Sequence, residues 1–172
     1  MKPKLYLETT IPSLLTAWPS RDLVIAGHQQ VTREWWEKRS GDYDLYVSEL
    51  VLLEAAAGDT VAARERLKIL AGLPELVVGD GVAQLTARLL ASGLIPPNAA
   101  ADAGHLAVSA VHGMHFLLTW NCAHINNAVI EKQVRSLFSS IKLELLFVCV
   151  FPLILSLISY KHLRPTYRHF YF

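Results

Sequence analysis

Cysteine is scarce in this chain, and a strong net charge is absent. Two cysteines among 172 residues, Cys122 and Cys149, cannot form a disulfide framework, and they fit a reducing compartment such as the cytoplasm. The formal net charge of +1 gives no global basic field, so any contact with nucleic acid must come from local patches. Glu8 and Pro12 interrupt the region where a secretory signal would need its apolar core. The length predicts one domain with a real core.

Short apolar runs alternate with helical patterns over most of the chain. The predicted strands are Lys4 to Leu7, Tyr43 to Val47, Glu75 to Val78 and His115 to Leu118. The predicted helices span Arg21 to Lys38, start at Ser48, run from Asp59 to Leu70, start at Asp80, and run from a cap at Asn98 to about His112. This alternation predicts an α/β fold whose parallel sheet is covered on both faces. In such sheets the functional site lies at the carboxyl ends of the strands.

The composition changes after about Val134, which predicts a main domain over 1–136 and a divergent apolar and basic segment over 137–172. Residues Leu145 to Ser159 carry no charge, but the run is shorter than the roughly 20 residues of a membrane span. The segment is therefore open to three interpretations: a native element, a membrane anchor or an altered-frame tail. Within it, Leu143 to Val150 has the composition of a final edge strand.

Two glutamates mark the first half of the chain. Glu8 closes the first predicted strand, where a carboxylate must be paired, hydrogen-bonded or metal-bound. The alternative is that Glu8 caps the following turn. Glu54 lies on the helix after the second strand, beside small alanines, and its alternative is a solvated helix position. Glu49, in the first turn of the same helix, is interpreted as structural because its charge suits the helix dipole.

A polar stripe follows Asn98. Asp102, His105, Ser109 and His112 are spaced by three, four and three residues, which places them on one helix face. That face is either solvated or the polar wall of a cleft, and histidines in place of lysines favour the cleft. Asp102 lies near the start of the helix, where the dipole helps to hold an anion.

Polar residues also follow the fourth predicted strand. Thr119 and Asn121 alternate around Trp120, and their hydroxyl and amide can orient a carboxylate or a water. The alternative for Asn121 is simple turn chemistry. Acids that are spread through a chain yet anchored to apolar segments indicate a shared pocket. Neighbouring carboxylates in such a pocket repel one another unless a hard cation or a proton neutralises their charge.

Two rival patterns weigh less. His112-x-x-His115 and Cys122-x-His124 offer four residues of types that bind zinc, but one tetrahedron would need a tight bend between them. Helix-end and turn histidines are the favoured interpretation. Trp35-Trp36 is interpreted as one core and one surface aromatic rather than a platform for nucleic-acid bases.

Taken in chain order, the motifs resemble PIN-domain nucleases of the VapC-toxin type. The matching strings are Leu7-Glu8-Thr9, Ser48 to Glu54, Asp102-x-x-His105 and Thr119-x-Asn121, and the agreement runs from about residue 4 to about residue 131. The first and fourth acidic positions of that family usually carry Asp, whereas this chain has Glu8 and Asn121. The strings Glu8-Thr9-Thr10-Ile11-Pro12-Ser13 and Thr119-Trp120-Asn121 resemble a distinct branch that carries both changes.

The resemblance implies a three-layer α/β/α fold with a mostly parallel sheet of four or five strands. It implies a divalent-metal-dependent endoribonuclease, the toxin of a type II toxin–antitoxin system, in the cytoplasm. Mg²⁺ or Mn²⁺ would be held by Glu8, Glu54 and Asp102, with Asn121 at the fourth position of the catalytic set. RNA and a small cognate antitoxin are the implied partners, and a homodimer is a candidate assembly that the sequence leaves open. The alternative is a catalytically weak or inactive binding module that acts through protein partners, since Asn121 removes one charge.

Overall fold

The computed structural model describes residues 1–125, 127–140 and 147–149 of the chain. The five strands are β1 (Lys4–Leu7), β2 (Asp44–Ser48), β3 (Glu75–Leu76), β4 (Phe116–Leu118) and β5 (Phe147–Cys149). The helices are α1 (Thr10–Thr16), α2 (Leu23–Arg39), α3 (Glu49–Ala56), α4 (Thr60–Leu70), α5 (Asp80–Ala91), α6 (Ala100–Val111) and α7 (Ala128–Ser140). The predicted elements are therefore all present, with shifts of a few residues at their ends.

The strands form one parallel sheet in the order β3-β2-β1-β4-β5. From β1 the chain moves outward to β2 and β3, and it then crosses back to β4 and β5 on the other side. With right-handed crossovers, this reversal places helices on both faces of the sheet. The predicted three-layer α/β/α class is confirmed.

The central strand shows why the sheet needs both helical layers. Leu5, Tyr6 and Leu7 are all 0% exposed, although successive side chains of a strand point to opposite faces. Two facing helix layers therefore cover β1. The Trp35 side chain on α2 is also 0% exposed, and Trp36 is half-buried, which confirms the predicted split into core and surface aromatics.

Helix capping agrees with the sequence in one place and departs from it in two. The Asp59 carboxylate accepts hydrogen bonds from the N–H groups of Val61 and Ala62, so it caps α4 as predicted. The predicted cap at Asn98 is wrong, because Asn98 lies inside a 3₁₀ turn over Pro97–Ala99, and α6 starts only at Ala100. Ser48 occupies the N-cap position of α3, but its hydroxyl makes no capping bond.

The sheet edge beside β4 is filled from the far end of the chain. Phe147–Cys149 pairs in parallel with Phe116–Leu118, within the 143–150 range predicted for a final strand. The predicted boundary at 136 falls inside α7, which continues to Ser140. The interpretations offered for the rest of the 137–172 segment concern 141–146 and 150–172, which lie outside the described residues. Among the described residues, the helices are too short or too polar to cross a membrane.

Candidate metal centre

The candidate site lies where two neighbouring strands end. Glu8 directly follows β1, and Thr119 directly follows β4, the strand beside it. The Glu8 N–H donates to the Leu118 carbonyl at 3.0 Å, which extends the strand pairing to the site. The chain runs outward in opposite directions from β1 and β4, so this edge is the topological switch point where open α/β sheets bind ligands.

Glu8 is held by hydroxyl groups and by the turn that follows it. The residue is 5% exposed, and its Oε2 atom accepts from the Thr10 N–H at 3.1 Å, the Thr10 hydroxyl at 2.5 Å and the Thr119 hydroxyl at 2.8 Å. The alternative interpretation, in which Glu8 caps the following turn, therefore holds for Oε2 but does not account for Oε1. Within the described residues, no hydrogen bond reaches Oε1. That oxygen keeps its lone pairs for another partner.

Glu54 reaches the same place from α3. Its Oε2 atom accepts from the Thr9 hydroxyl and from Nε2 of His105, the latter at 3.1 Å, and its side chain is 35% exposed. Burial raises the pKa of Glu54, but the hydrogen bonds from His105 and Thr9 and the charge of His105 lower it by more, so this pKa lies below its usual range. As with Glu8, no described residue donates a hydrogen bond to Oε1. Both glutamates thus use one oxygen as an anchor, and the other oxygen of each receives no hydrogen bond from the described residues.

His105 links the glutamate to the interior. Its side chain is fully buried on α6, and its Nδ1 atom lies 2.8 Å from the Tyr6 hydroxyl. A carboxylate can only accept, so in the neutral ring Nε2 carries the proton toward Glu54, and Nδ1 accepts from Tyr6. The Tyr6 oxygen then accepts from the Ser48 hydroxyl at 2.6 Å. Burial raises the pKa of Tyr6 above its usual value, although the Ser48 bond lowers it, so the phenol stays neutral and can donate.

Close packing of α6 against α3 makes the His105 contact with Glu54 feasible. A Cβ atom at Gly104 would lie 2.9 Å from Cδ1 of Leu50, a residue of α3. Glycine at this position therefore lets the two helices approach more closely than an alanine would without a shift of Leu50. His105 follows Gly104 on α6 and Glu54 lies on α3, so the close approach of the two helices brings these side chains within hydrogen-bond distance.

The structure brings together Glu8, Glu54 and His105. Each offers a ligand atom, and these atoms all lie within 4.8 Å of one another; among the described residues this is the one group of its kind. Asp102, the third predicted ligand, is not in the group. It lies one helical turn before His105 and is half-buried. The group can hold a cation, and the ligand role of Asp102 stays a prediction.

Thr119 and Asn121, the two polar residues after β4, have different roles: Thr119 orients a carboxylate, and Asn121 forms a turn. The Thr119 hydroxyl donates to Glu8 and accepts from the Asn121 N–H at 2.8 Å, so it orients the carboxylate as predicted. The Asn121 Oδ1 atom accepts from the N–H groups of Ala123 and His124 at 3.2 and 3.1 Å. Asn121 thus shapes a turn, the alternative interpretation of this residue. Its catalytic role stays a prediction.

The rival zinc pattern is not assembled in the described part of the chain. Nε2 of His112 donates to the Val77 carbonyl at 2.8 Å, and Nδ1 of His115 accepts from the Lys4 N–H at 2.9 Å. Cys122 is an exposed free thiol. These residues therefore have the separate helix-end and turn roles that the sequence favoured.

Four contributors were not predicted from the sequence. The network also uses the hydroxyls of Tyr6, Ser48, Thr9 and Thr10, yet each residue has an ordinary interpretation as a core aromatic, a helix cap or a turn residue. The polar stripe on α6 was a usable signal, because His105 and Ser109 are both fully buried. His105 finds its partners in the protein interior, whereas the buried Ser109 hydroxyl makes no hydrogen bond with the described residues.

Removal of the Tyr6 hydroxyl tests the network. We expect Tyr6→Phe to lower the free energy of unfolding by about 1–3 kcal/mol, because it leaves the buried His105 and Ser48 each with one fewer partner. Tyr46→Phe is the matched control: Tyr46 is the register neighbour of Tyr6 on β2, and its hydroxyl makes no hydrogen bond with the described residues. The control should change stability by no more than about 0.5 kcal/mol in urea unfolding. Equal losses in both variants would contradict the assigned network.

Comparison of the chain with protein-family models and with curated protein sequences finds no match.

Proposed function

We propose that the protein is a divalent-metal-dependent endoribonuclease. The observation that supports this proposal best is the convergence of Glu8 and Glu54 at the switch point of a parallel sheet, each with one oxygen free of hydrogen bonds from the described residues. The four motifs that resemble PIN-domain nucleases add the reaction class. Phosphodiester hydrolysis needs a centre that neutralises phosphate charge, and a pair of carboxylates around a cation at the sheet edge provides one.

The donor set fits a hard divalent cation. Mg²⁺ and Mn²⁺ prefer oxygen ligands, and the two free carboxylate oxygens are such ligands. His105 fits less well as a ligand, because it is fully buried and both of its ring nitrogens are already hydrogen-bonded. We assign Glu8, Glu54 and Asp102 as ligands of Mg²⁺ or Mn²⁺. A bound cation of this kind acidifies water and neutralises charge on a phosphodiester.

The surrounding residues then act by orienting the ligands. Thr10 and Thr119 fix Glu8, while Thr9 and His105 fix Glu54. In metal sites such partners of the ligands set their direction and affect affinity by roughly 10–100-fold when removed. The Asn121 side chain holds the turn that follows Thr119, and the Asn121 backbone N–H donates to the Thr119 hydroxyl. Its side chain would contribute position rather than charge.

The biological setting follows from the resemblance alone. We propose a cytoplasmic toxin of a type II toxin–antitoxin system, with RNA as substrate, a small cognate antitoxin as inhibitor and a homodimer as the assembled form. With a net charge of +1, RNA contact would rely on local cations such as Arg21, Arg33 and Arg39, and these differ in their availability. Arg21 is exposed, Arg33 donates to the Ala17 carbonyl at 3.0 Å, and Arg39 is paired with Asp42 at 2.8 Å. Arg21 and Arg33 are therefore the stronger candidates.

One observation favours a second candidate function. Glu54 has two donors, His105 and Thr9, and Glu8 accepts three hydrogen bonds from Thr10 and Thr119, so protein groups alone hold one oxygen of each carboxylate. An inactive binding module that acts through protein partners would retain such a network. A titration with Mn²⁺ separates the two functions, because the enzyme must bind the cation whereas the vestigial module need not.

The direct test is cleavage of mixed cellular RNA with and without metal. We expect cleavage in Mn²⁺ or Mg²⁺ and none after chelation. RNA binding should weaken with salt by about 0.7 log units per log unit of salt for each phosphate contact on a single strand, thus by about 1.4 if Arg21 and Arg33 each make one. Affinity that does not change with salt would argue against an RNA substrate. Absence of cleavage together with absence of Mn²⁺ binding would favour the binding module.

A further inference from the structure

A pocket of about 380 Å³ opens next to the candidate metal centre. Helix α1 contributes Ser13 and Leu14 to its lining, and helix α2 contributes Ile25 and His28. Trp120 and Glu8 also line it, so the pocket and the metal centre share a carboxylate. The lining is mostly apolar, and Glu8 is its one acidic residue. An apolar pocket beside a cation site suits a ligand that joins a flat apolar ring to an anionic group bound by the cation.

The aromatic part of the pocket is a preformed stack. The rings of His28 and Trp120 lie 3.8 Å apart between centroids, with their planes 20° from parallel. The Trp120 indole N–H donates to the Thr32 hydroxyl at 2.9 Å, which fixes the ring in place. His28 and Trp120 are each half-buried, and both line the pocket.

The stack is tied to the metal centre through one hydroxyl. The Thr10 hydroxyl accepts from the Trp120 backbone N–H at 2.9 Å and donates to Oε2 of Glu8 at 2.5 Å. The aromatic stack and the carboxylate therefore keep a fixed relation to each other. The hydroxyl of Ser13, another lining residue, makes no hydrogen bond with any described residue, so it can donate to or accept from a ligand.

We propose that this pocket binds one nucleobase of the RNA strand, next to the phosphate that is cleaved. This inference rests on the proposed ribonuclease function and adds a subsite to it. The facing surfaces of His28 and Trp120 cover each other, so the base would stack on the outer face of His28, with Trp120 supporting that ring from behind. A phosphate at Glu8 and Glu54 would have its neighbouring nucleoside within reach of the pocket. The Ser13 hydroxyl can hydrogen-bond a base edge and so favour some bases over others.

Nucleoside binding by the metal-free protein tests the pocket without requiring cleavage. The probes are adenosine, guanosine, cytidine and uridine, with ribose as the control that lacks a base, and quenching of tryptophan fluorescence reports binding. We expect at least one nucleoside to bind and ribose not to bind. His28→Ala should weaken nucleoside binding by about tenfold, within the range of one base–aromatic stack. Trp18→Ala, which removes a tryptophan that is 92% exposed and outside the pocket, should leave the affinity unchanged.

Further outcomes separate the subsite from the reaction. Ser13→Ala should alter the order of affinities among the four nucleosides, and circular dichroism should show that each variant is folded. Ribose binding equal to that of the nucleosides, or an unchanged affinity in folded His28→Ala, would overturn the base subsite even if RNA is cleaved. Base-dependent binding without any metal-dependent cleavage would support the subsite while the proposed ribonuclease function fails.

Discussion

Glu54→Gln is expected to lower metal-dependent RNA cleavage by about 100-fold or more, an effect typical of the loss of a preorganised electrostatic group. Glutamine keeps the size of the side chain and an oxygen that can accept from His105 and Thr9, but it carries no charge. If the amide oxygen keeps the bonds to His105 and Thr9, the oxygen that would hold the cation is replaced by an NH₂ group, which cannot bind a cation. In the other amide orientation an oxygen faces the cation but carries no negative charge. Binding of Mn²⁺, measured by calorimetry, should weaken in parallel with the cleavage rate.

Glu49→Gln is the matched control for this experiment. Glu49 lies on the same helix, in its first turn, and is exposed to solvent. The variant removes the same charge from α3 without touching the site, so cleavage should stay at the wild-type level. A folded Glu54→Gln protein that cleaves normally would refute the assignment of Glu54. Equal losses in both variants would instead indicate a general effect of charge on α3.

The elements of the fold were predictable because each leaves a local signal. The run Lys4–Leu7 is apolar, short and bounded by turn residues, and it became the central strand with the same bounds. Asp59 precedes a helical pattern and caps it. The errors arise where two local signals compete: Pro97 starts a 3₁₀ turn before α6, and this turn moved the helix start beyond Asn98. Strand order, by contrast, was left open by the sequence.

The candidate site was predictable only in part, for a different reason. Glu8 and Glu54 were found because each carboxylate sits at the edge of an apolar element, where burial must be compensated. Tyr6 was missed because an aromatic residue in a buried strand is ordinarily core, and its hydroxyl finds His105 across 99 positions of sequence. Such a contact has no periodicity and no spacing. It exists only because β1 and α6 pack together.

The second large effect concerns Asp102. We expect Asp102→Asn to abolish metal-dependent RNA cleavage, with a loss of about 100-fold or more, while the fold stays intact. Asp102 lies three residues before His105 on α6, hence on the same helix face, and it makes no hydrogen bond or ion pair with the described residues. A half-buried carboxylate without such a partner can turn toward a cation at Glu8 and Glu54. Relief of carboxylate repulsion should leave the metal-free variant at least as stable as the wild type in thermal unfolding.

Asp80→Asn is the control, because Asp80 is also in the first turn of its helix but is exposed. Cleavage by this variant should stay at the wild-type level.

The His105→Gln variant distinguishes Asp102 from His105 as the third ligand of the cation. If His105 only orients Glu54, glutamine retains a donor for the carboxylate, and Mn²⁺ affinity should fall by no more than about 10–100-fold. If His105 is itself the ligand, His105→Gln should abolish Mn²⁺ binding while Asp102→Asn has no effect. If Mn²⁺ affinity depends on Asp102 and only weakly on His105, the centre is all-carboxylate and favours hard cations. If it depends on His105 and not on Asp102, the assignment of Asp102 is refuted. A histidine ligand would then favour softer transition metals.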